Sequence, residues 1–200
     1  MAMTGSLSND LMSQLQGAPA QQIGEQLGLS PAQTRDAIGA ALPLLLGALG
    51  RNASQPQGAD ALFGALQRDH AGIDLGSVLG SVLGGGGQGA EILGHVFGRQ
   101  QNNAAQGLGA ATGLGGSQAN SLLKLLAPIV LAYLARRMFA QGNATPQGLG
   151  QVLGQEHQQI RQQGGLGGGL LGAVLDRDGD GDADFSDLIG LAGSVLGGRR

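Results

Sequence analysis

The sequence predicts an all-α protein, and its composition and patterning both support that class. Apolar residues make up 42% of the chain and are mostly leucine and alanine, whereas aromatic residues make up 2%. Strands favour β-branched and aromatic side chains, so this composition argues against a sheet. Apolar residues also recur at helical spacing, with proline and glycine where helices would begin and end. We therefore expect a helical bundle.

The first helices are marked by local signals at both of their ends. A helix near residues 20–27 is expected to end at Gly28, because glycine commonly follows the last turn of a helix. Ser30 then supplies a side chain that caps a helix, and Pro31 suits the first helical position. These residues predict two helices joined by a three-residue turn.

The second of these helices runs from Pro31 towards Gly50, with apolar residues along it at helical spacing. Pro43 lies inside it and predicts a kink or a break, because proline removes a hydrogen bond and clashes with the preceding turn. The segment 52–58 is rich in turn residues and predicts a loop. A short helix is expected after it, around residues 59–68.

An internal repeat organises the chain. Residues 28–51 (GLSPAQTRDAIGAALPLLLGALGR) align without a gap on residues 113–136 (GLGGSQANSLLKLLAPIVLAYLAR), including the proline inside the helix. Further along, PQGADALFGAL at 56–66 resembles PQGLGQVLGQE at 146–156. The sequence thus predicts two copies of one helical unit.

The stretch between the copies is rich in glycine. Gly76, Gly80 and Gly84 are four residues apart and fall on one face of a helix, where they let another helix approach closely. We interpret this stripe as a packing face in a bundle and as a site of self-association between protomers. GGGGQG at 84–89 is typical of a flexible joint, and the following EILGHVFG predicts a short core helix.

Charge and hydropathy exclude several classes of protein. The net charge is −3, and the block 176–187 holds six aspartates and one arginine, so the remainder is close to neutral and lacks the basic surface of a nucleic-acid binder. The apolar runs 37–50 and 125–135 are shorter than a membrane span, and MAMTGSLSND is unlike a secretory signal. Cysteine is absent, which excludes disulfides and thiol catalysis. A cytoplasmic protein without a membrane span is expected.

The motifs QLGLSPAQTRDAIGAALPLLLGAL, GAEILGHVFG and LLKLLAPIVLAYLA, followed by an acidic DxDGDG stretch, carry a family resemblance. Together they resemble the bacterial "domain of unknown function 937" family, related to YidB-like proteins. The resemblance implies an all-helical fold with homeodomain-like helical units. It implies no activity, because the family is named for lacking one.

The stretch DRDGDGDADFSD, residues 176–187, predicts a calcium site. An EF-hand loop places oxygen ligands at positions 1, 3, 5, 7, 9 and 12 and glycine at position 6, which is Gly181 here. Calcium is the expected ion, and magnesium is also compatible. The candidate metal ligands are Asp176, Asp178, Asp180, Asp182, Asp184 and Asp187.

Two features distinguish this loop from a regulatory EF-hand. Asp187 stands where a longer glutamate usually binds the ion through both oxygens, a feature that the loop shares with dockerin modules. The sequence also has one such loop, with no partner loop. We therefore expect modest affinity and a structural role, with a hydrated acidic turn as the alternative.

The alternative function is DNA association through a helix-turn-helix arrangement. The helices near 20–27 and 31–42 have that arrangement, but the second offers Gln33, Thr34 and Arg35 with Asp36 beside them. A DNA-reading helix needs several phosphate-contacting lysines or arginines around it. DNA association is therefore kept as the second hypothesis.

No residue pattern predicts an enzyme. His70, His95 and His157 are scattered without carboxylates at ligand spacing, and His95 is expected to be a partly buried core histidine. The glycines that begin at Gly167 satisfy G-x-G-x-x-G, but no strand precedes them, which argues against a dinucleotide site.

The polar stretch EHQQIRQQGG, 156–165, is interpreted as an exposed helix end that acts as a spacer.

Four regions follow from these observations: a first helical unit (1–70), a glycine-rich helical bridge (71–98), a second helical unit (99–160), and a glycine linker with the calcium loop and a final helix (161–200). The leading hypothesis is a non-enzymatic, self-associating scaffold or interaction protein with one structural calcium loop. Its partner is expected to be a protein, either a second copy or another chain.

Overall fold

Helices form nearly all of the residues that the structure, a computed structural model, describes: 6–69, 75–84, 88–140 and 144–163. No strand occurs within these ranges, so the predicted all-α class is confirmed. In chain order the helices are α1 (Leu7–Leu15), α2 (Ala18–Leu27), α3 (Pro31–Ala53), α4 (Pro56–Asp69), α5 (Leu75–Leu83), α6 (Gly89–Phe97), α7 (Gln101–Thr112), α8 (Gly116–Ala140) and α9 (Pro146–Gln163), with a 3-10 turn at Gly98–Gln100 between α6 and α7.

Helices α3 and α8 form the centre of the bundle. They pack against each other, and between them they contact every other helix of the described chain. A helix that is apolar on all sides is stable only when it is surrounded, and both helices have this character in their second halves. The buried leucines of α3 are Leu42, Leu44, Leu45, Leu46 and Leu49, and those of α8 are Leu122, Leu123, Leu126, Leu131 and Leu134.

The junction between α2 and α3 has the geometry that the sequence predicts. Gly28 adopts the left-handed conformation with φ 66°, which costs glycine little because it has no Cβ. The Ser30 side chain accepts a hydrogen bond from the backbone N–H of Gln33, and Gln33 Oε1 accepts one from the backbone N–H of Ser30. This capping box fixes the start of α3.

Two local predictions differ from the structure. Helix α3 continues through Pro43, so the predicted break is absent, since burial on both sides of the proline holds the helix together despite one missing hydrogen bond; the alternative of a kink stays a prediction. The predicted loop at 52–58 is also shorter, because α3 extends to Ala53 and α4 already begins at Pro56. Pro56 is the first residue of α4, a position that proline favours, and this preference outweighs the turn-like composition of residues 52–58.

Helix α9 lies across α3 and α4, and it is held close to α3 by a small residue. A Cβ placed on Gly50 of α3 would stand 2.8 Å from the carbonyl oxygen of Leu153 of α9. The two backbones therefore approach more closely than a side chain would allow. This contact makes α9 an integral part of the core.

Candidate binding groove

The six aspartates predicted to bind calcium, Asp176 to Asp187, lie outside the described residues. The same is true of His70, of Gly167 and of the four-glycine joint's residues 85–87. Within the described ranges, no group of three or more potential metal ligands comes together. The calcium loop therefore stays a prediction from the sequence.

The histidine prediction is wrong for His95. Its side chain is exposed on α6, and the group that makes a contact is its backbone carbonyl oxygen, which accepts a hydrogen bond from Asn52 Nδ2 at 3.0 Å. His95 follows buried Leu93 by two residues, which turns its side chain away from the core on a helix.

The glycine stripe of α5 faces outward. Gly76 and Gly80 are exposed, whereas Val78 and Val82 on the same helix are buried. A Cβ placed on Gly80 would meet no atom within 4 Å. Among the described residues, therefore, no helix packs against the stripe at this position.

The interpretation of residues 156–165 as an exposed helix end is wrong at Glu156, whereas Gln158 and Gln159 are exposed and residues 164–165 lie outside the described residues. Glu156 is 4% exposed, and its carboxylate caps the first turn of α1. Its oxygens accept hydrogen bonds from Leu7 N at 2.8 Å, Ser8 N at 3.0 Å and Ser8 Oγ at 2.7 Å. A helix N-terminus presents unpaired N–H groups and a positive partial charge, so a carboxylate is stabilised there.

A second polar contact joins α1 to α8. Arg137 Nη1 donates to Asp10 Oδ2 at 2.8 Å and contacts the Tyr133 hydroxyl at 3.0 Å. Burial raises the pKa of Tyr133 above its usual value, so the phenol stays neutral. Both contacts are structural: Asp10 and Glu156 fix the two sides of α1 to helices more than a hundred residues away.

The feature suited to binding is a groove between α4 and α6. Both helices pack on α3 and α8 and stand on opposite sides of a cavity of about 350 Å³. Leu49 of α3 and Leu131 of α8 form the floor and are themselves buried. The α4 wall is formed by Gly58, Ala61, Leu62, Ala65 and Arg68, and the α6 wall by Ile92, His95 and Val96.

The walls expose apolar side chains to solvent. Leu62, Ile92 and Val96 are each partly exposed, although they also touch the core. The residues of the α4 wall are spaced three or four positions apart, so they lie on one face of the helix. Most of them are small, which allows another helix to approach the backbone of α4 closely. This groove is distinct from the core face of α4, which buries Phe63 and Leu66.

The ionisable groups of the groove lining are an arginine and a histidine. Arg68 is exposed at the last turn of α4, where its Nε donates to the carbonyl oxygen of Gly64 at 3.2 Å. His95 stands on the opposite wall. None of the described lining residues is a carboxylate, whereas Asp60 and Glu91 are exposed on the same two helices outside the lining. The groove therefore suits an apolar ligand that carries a negative charge near the Arg68 end.

A second depression, of about 370 Å³, lies where α2, α5, α6 and α8 meet. Its lining includes Gln26, Ser121 and Lys124, and it is more open to solvent than the groove. The groove is the stronger candidate because its lining is more apolar, and ligand sites are lined mainly by apolar side chains.

Comparisons with known proteins identify a family and no function. Residues 9–137 match the family described as "Bacterial protein of unknown function (DUF937)". No curated protein and no solved structure matches the chain. Within the part of the chain that the structure describes, none of the helices is both long enough and apolar enough to cross a membrane.

Proposed function

Since the chain belongs to the DUF937 family of bacterial proteins, whose description assigns no function, we propose a function from its own geometry. The chain is a non-enzymatic interaction protein, and the groove between α4 and α6 binds an amphipathic helix. The observation that carries this proposal is the apolar outer wall of α4. It is the second apolar face on a helix that already packs its first face into the core.

Helix α9 can be compared with α4 position by position, which shows what is unusual about the α4 wall. Both α4 and α9 begin Pro-Gln-Gly, so their residues correspond one to one. Where α4 has Ala61 and Ala65, α9 has the exposed glutamines Gln151 and Gln155. Leu62 corresponds to Val152, which is also apolar and partly exposed, so the two outer faces differ at the alanine positions. A helix in this setting therefore accepts glutamines at those positions, and the alanines of α4 support a role in binding.

The dimensions of the groove support a helix as the ligand. Its lining follows α4 from Gly58 to Arg68, about three turns at 1.5 Å rise per residue. Helix-in-groove recognition uses anchors at positions i, i+3, i+4 and i+7, which matches a cleft of this length. Covering the partly exposed Leu62, Ile92 and Val96 would contribute roughly 25 cal/mol for each Å² of apolar surface removed from water.

A test can use 1-anilinonaphthalene-8-sulfonate, which combines apolar rings with an anionic group. At a saturating concentration we expect the dye, in competition with any helix that covers the groove, to shift the methyl NMR signals of Leu62, Ile92 and Val96 in the full chain. The double variant Ala61→Gln/Ala65→Gln gives α4 the outer face of α9 and should abolish these shifts. Signals that move all over the surface, or move equally in the double variant, would contradict the proposal.

Self-association forms a second part of the proposed function, through the glycine stripe of α5. The outward position of Gly80, with no atom near its Cβ position, supports a helix–helix contact between protomers. Gly80→Ala removes the close approach while improving helix propensity. We expect light scattering to report a larger mass for the wild type than for this variant. A wild type that is monomeric at all concentrations would rule out self-association.

The calcium loop is proposed on its sequence pattern alone. Asp176, Asp178 and Asp180, with glycine at the sixth position of the loop, match the spacing of an EF-hand. Calorimetric titration should detect calcium binding that is lost when all three are replaced by alanine. Absence of heat in the wild type would leave a hydrated acidic turn.

We also infer that the two halves are copies of one helical unit. Gly28 and Gly113 both adopt left-handed conformations, with φ 66° and 71°, directly after α2 and α7. Pro43 and Pro128 occupy the interiors of the long helices that follow. These parallels support the repeat, and the homeodomain-like arrangement of YidB-like proteins stays a prediction.

The alternative, DNA association through α2 and α3, has weaker support. Arg35 is exposed on the first turns of α3 together with Asp36, so their charges cancel. Phosphate contacts need several uncompensated cations. A salt-dependent shift of a labelled duplex in the presence of the full chain would favour this alternative.

A further inference from the structure

We propose that the occupant of the groove is residues 185–197 of the same chain, here called the docking segment. This inference rests on the proposed function and goes beyond it by naming the helix that the groove binds. Three observations support it: the pattern of the segment, the charge of the chain before it, and the length of the connection.

The pattern of the docking segment, FSDLIGLAGSVLG, fits a groove of this length. Its apolar residues include a set at helical spacing, and the residues between them are mainly serine, aspartate and glycine. The stripe therefore supplies anchors at positions i, i+3, i+4 and i+7. These apolar residues are Phe185, Leu188, Ile189, Ala192, Val195 and Leu196.

The charges of the groove and of the chain are complementary. Residues 176–187 carry six aspartates and one arginine, and the last three residues of this block are the first three of the docking segment. Arg68 and His95 are the ionisable groups of the groove lining within the described chain, with no carboxylate among them. Attraction between the acidic block and Arg68 would place the start of the segment at the Arg68 end, with its apolar stripe along the α4 wall.

The connection is long enough and favours the same chain over a second copy. Residues 164–184 link the end of α9 to the segment, and 21 extended residues span up to about 70 Å. A domain of this size has a radius of gyration of only about 15 Å. A tethered segment has an effective concentration in the millimolar range, so intramolecular docking prevails at ordinary protein concentrations.

Cross-linking tests the inference in the full chain, which has no natural cysteine. Ala65→Cys places a thiol on the groove wall, and Ala192→Cys places one in the docking segment. A short bis-maleimide should join them within one chain about tenfold faster than the matched control pair, Gln155→Cys with Ala192→Cys. The control places the thiol at the corresponding position of α9, on an exposed polar face.

A further pair of substitutions separates docking from mere tethering. Leu188→Ser/Ile189→Ser removes two anchors without altering the connection. It should lower the cross-linking rate to that of the control pair and increase the affinity of the groove for 1-anilinonaphthalene-8-sulfonate. A rate that these substitutions leave unchanged would overturn the inference.

The remaining outcomes separate this inference from the proposed function. Cross-links that join two chains would overturn docking within one chain and would leave the groove as a helix-binding site. Equal rates for the groove and control pairs, with dye still bound at Leu62 and Ile92, would overturn the segment alone. Equal rates together with no dye binding would overturn both the segment and the groove.

Discussion

Helices α4 and α9 share a beginning and differ in what surrounds them. Both start with Pro-Gln-Gly after a long central helix, and their inward faces agree at two of the three corresponding positions compared below. Ala59 and Phe63 of α4 are buried, as are Leu149 and Leu153 at the corresponding positions of α9. The inward pattern is therefore what holds such a helix on the bundle.

Their outward faces disagree, and this difference is informative. Position for position, Ala61 and Ala65 of α4 are replaced in α9 by the exposed glutamines Gln151 and Gln155. A surface helix gains stability from its inner face and tolerates polar residues on the outer one. Apart from Leu62 and Val152, which are apolar and partly exposed in both helices, the outer face of α4 is apolar where that of α9 is polar, and this difference supports the proposed role in binding.

One inward position also differs, at Leu66 and Glu156. Both are buried, but Leu66 contributes to the core whereas Glu156 caps α1. Helix α9 therefore performs two structural tasks, since it covers α3 and anchors α1. Helix α4 performs the first task only and keeps a face available.

The largest effects should come from the shared inward face. Leu153→Ala and Phe63→Ala remove buried side chains, and each should lower the free energy of unfolding by about 3 kcal/mol. Urea denaturation measures this change. Gln151→Ala, on the outer face of α9, is the control and should change stability by less than about 0.5 kcal/mol. Equal losses at all three positions would mean that the two faces are not distinct.

Removing the cap of α1 should have the next largest effect. Glu156→Ala leaves the N–H groups of Leu7 and Ser8 without their partner, at a cost of about 2 kcal/mol. Glu156→Gln keeps an acceptor oxygen and should lose about half as much. Hydrogen exchange of α1 should accelerate in the alanine variant. An unchanged exchange rate would show that the contact does not hold α1.

Replacing each of two glycines by alanine should change the stability of the protein in opposite directions. Gly50→Ala forces a Cβ against the carbonyl oxygen of Leu153 and should destabilise the protein by about 1–2 kcal/mol. Gly154→Ala faces open space and should stabilise it by up to about 1 kcal/mol through helix propensity. Thermal unfolding of both variants checks the signs. A stabilising Gly50→Ala would mean that α3 and α9 are further apart.

The smallest effect on folding is expected at the groove wall. Ala61→Gln/Ala65→Gln converts the outer face of α4 to that of α9 and should change the free energy of unfolding of the bundle itself by less than about 0.5 kcal/mol. Circular dichroism during urea unfolding provides the measurement, made in the Leu188→Ser/Ile189→Ser background so that docking of residues 185–197 does not contribute. A loss of several kcal/mol would show that this face belongs to the core.

Local features of the fold were predictable from sequence, and distant contacts were not. Gly28, Ser30 and Pro31 define the α2–α3 junction through interactions within a few residues. The partnership of Glu156 with α1 spans 149 positions and leaves no periodic signal. The groove was missed for the same reason, because it exists only where α4 and α6 stand apart on the surface of α3 and α8.

The most direct test of the binding face compares thiol reactivity at the two corresponding positions in the intact chain. Ala65→Cys and Gln155→Cys each introduce a single thiol, and each maleimide labelling rate is divided by the rate in urea. If a helix covers the outer face of α4, the thiol at position 65 should react about tenfold more slowly than the one at position 155, which corresponds to about 1.4 kcal/mol of protection. Equal normalised rates, or a difference that Leu188→Ser/Ile189→Ser leaves unchanged, would contradict the coverage of α4 by the docking segment and would leave the groove itself as an open binding site.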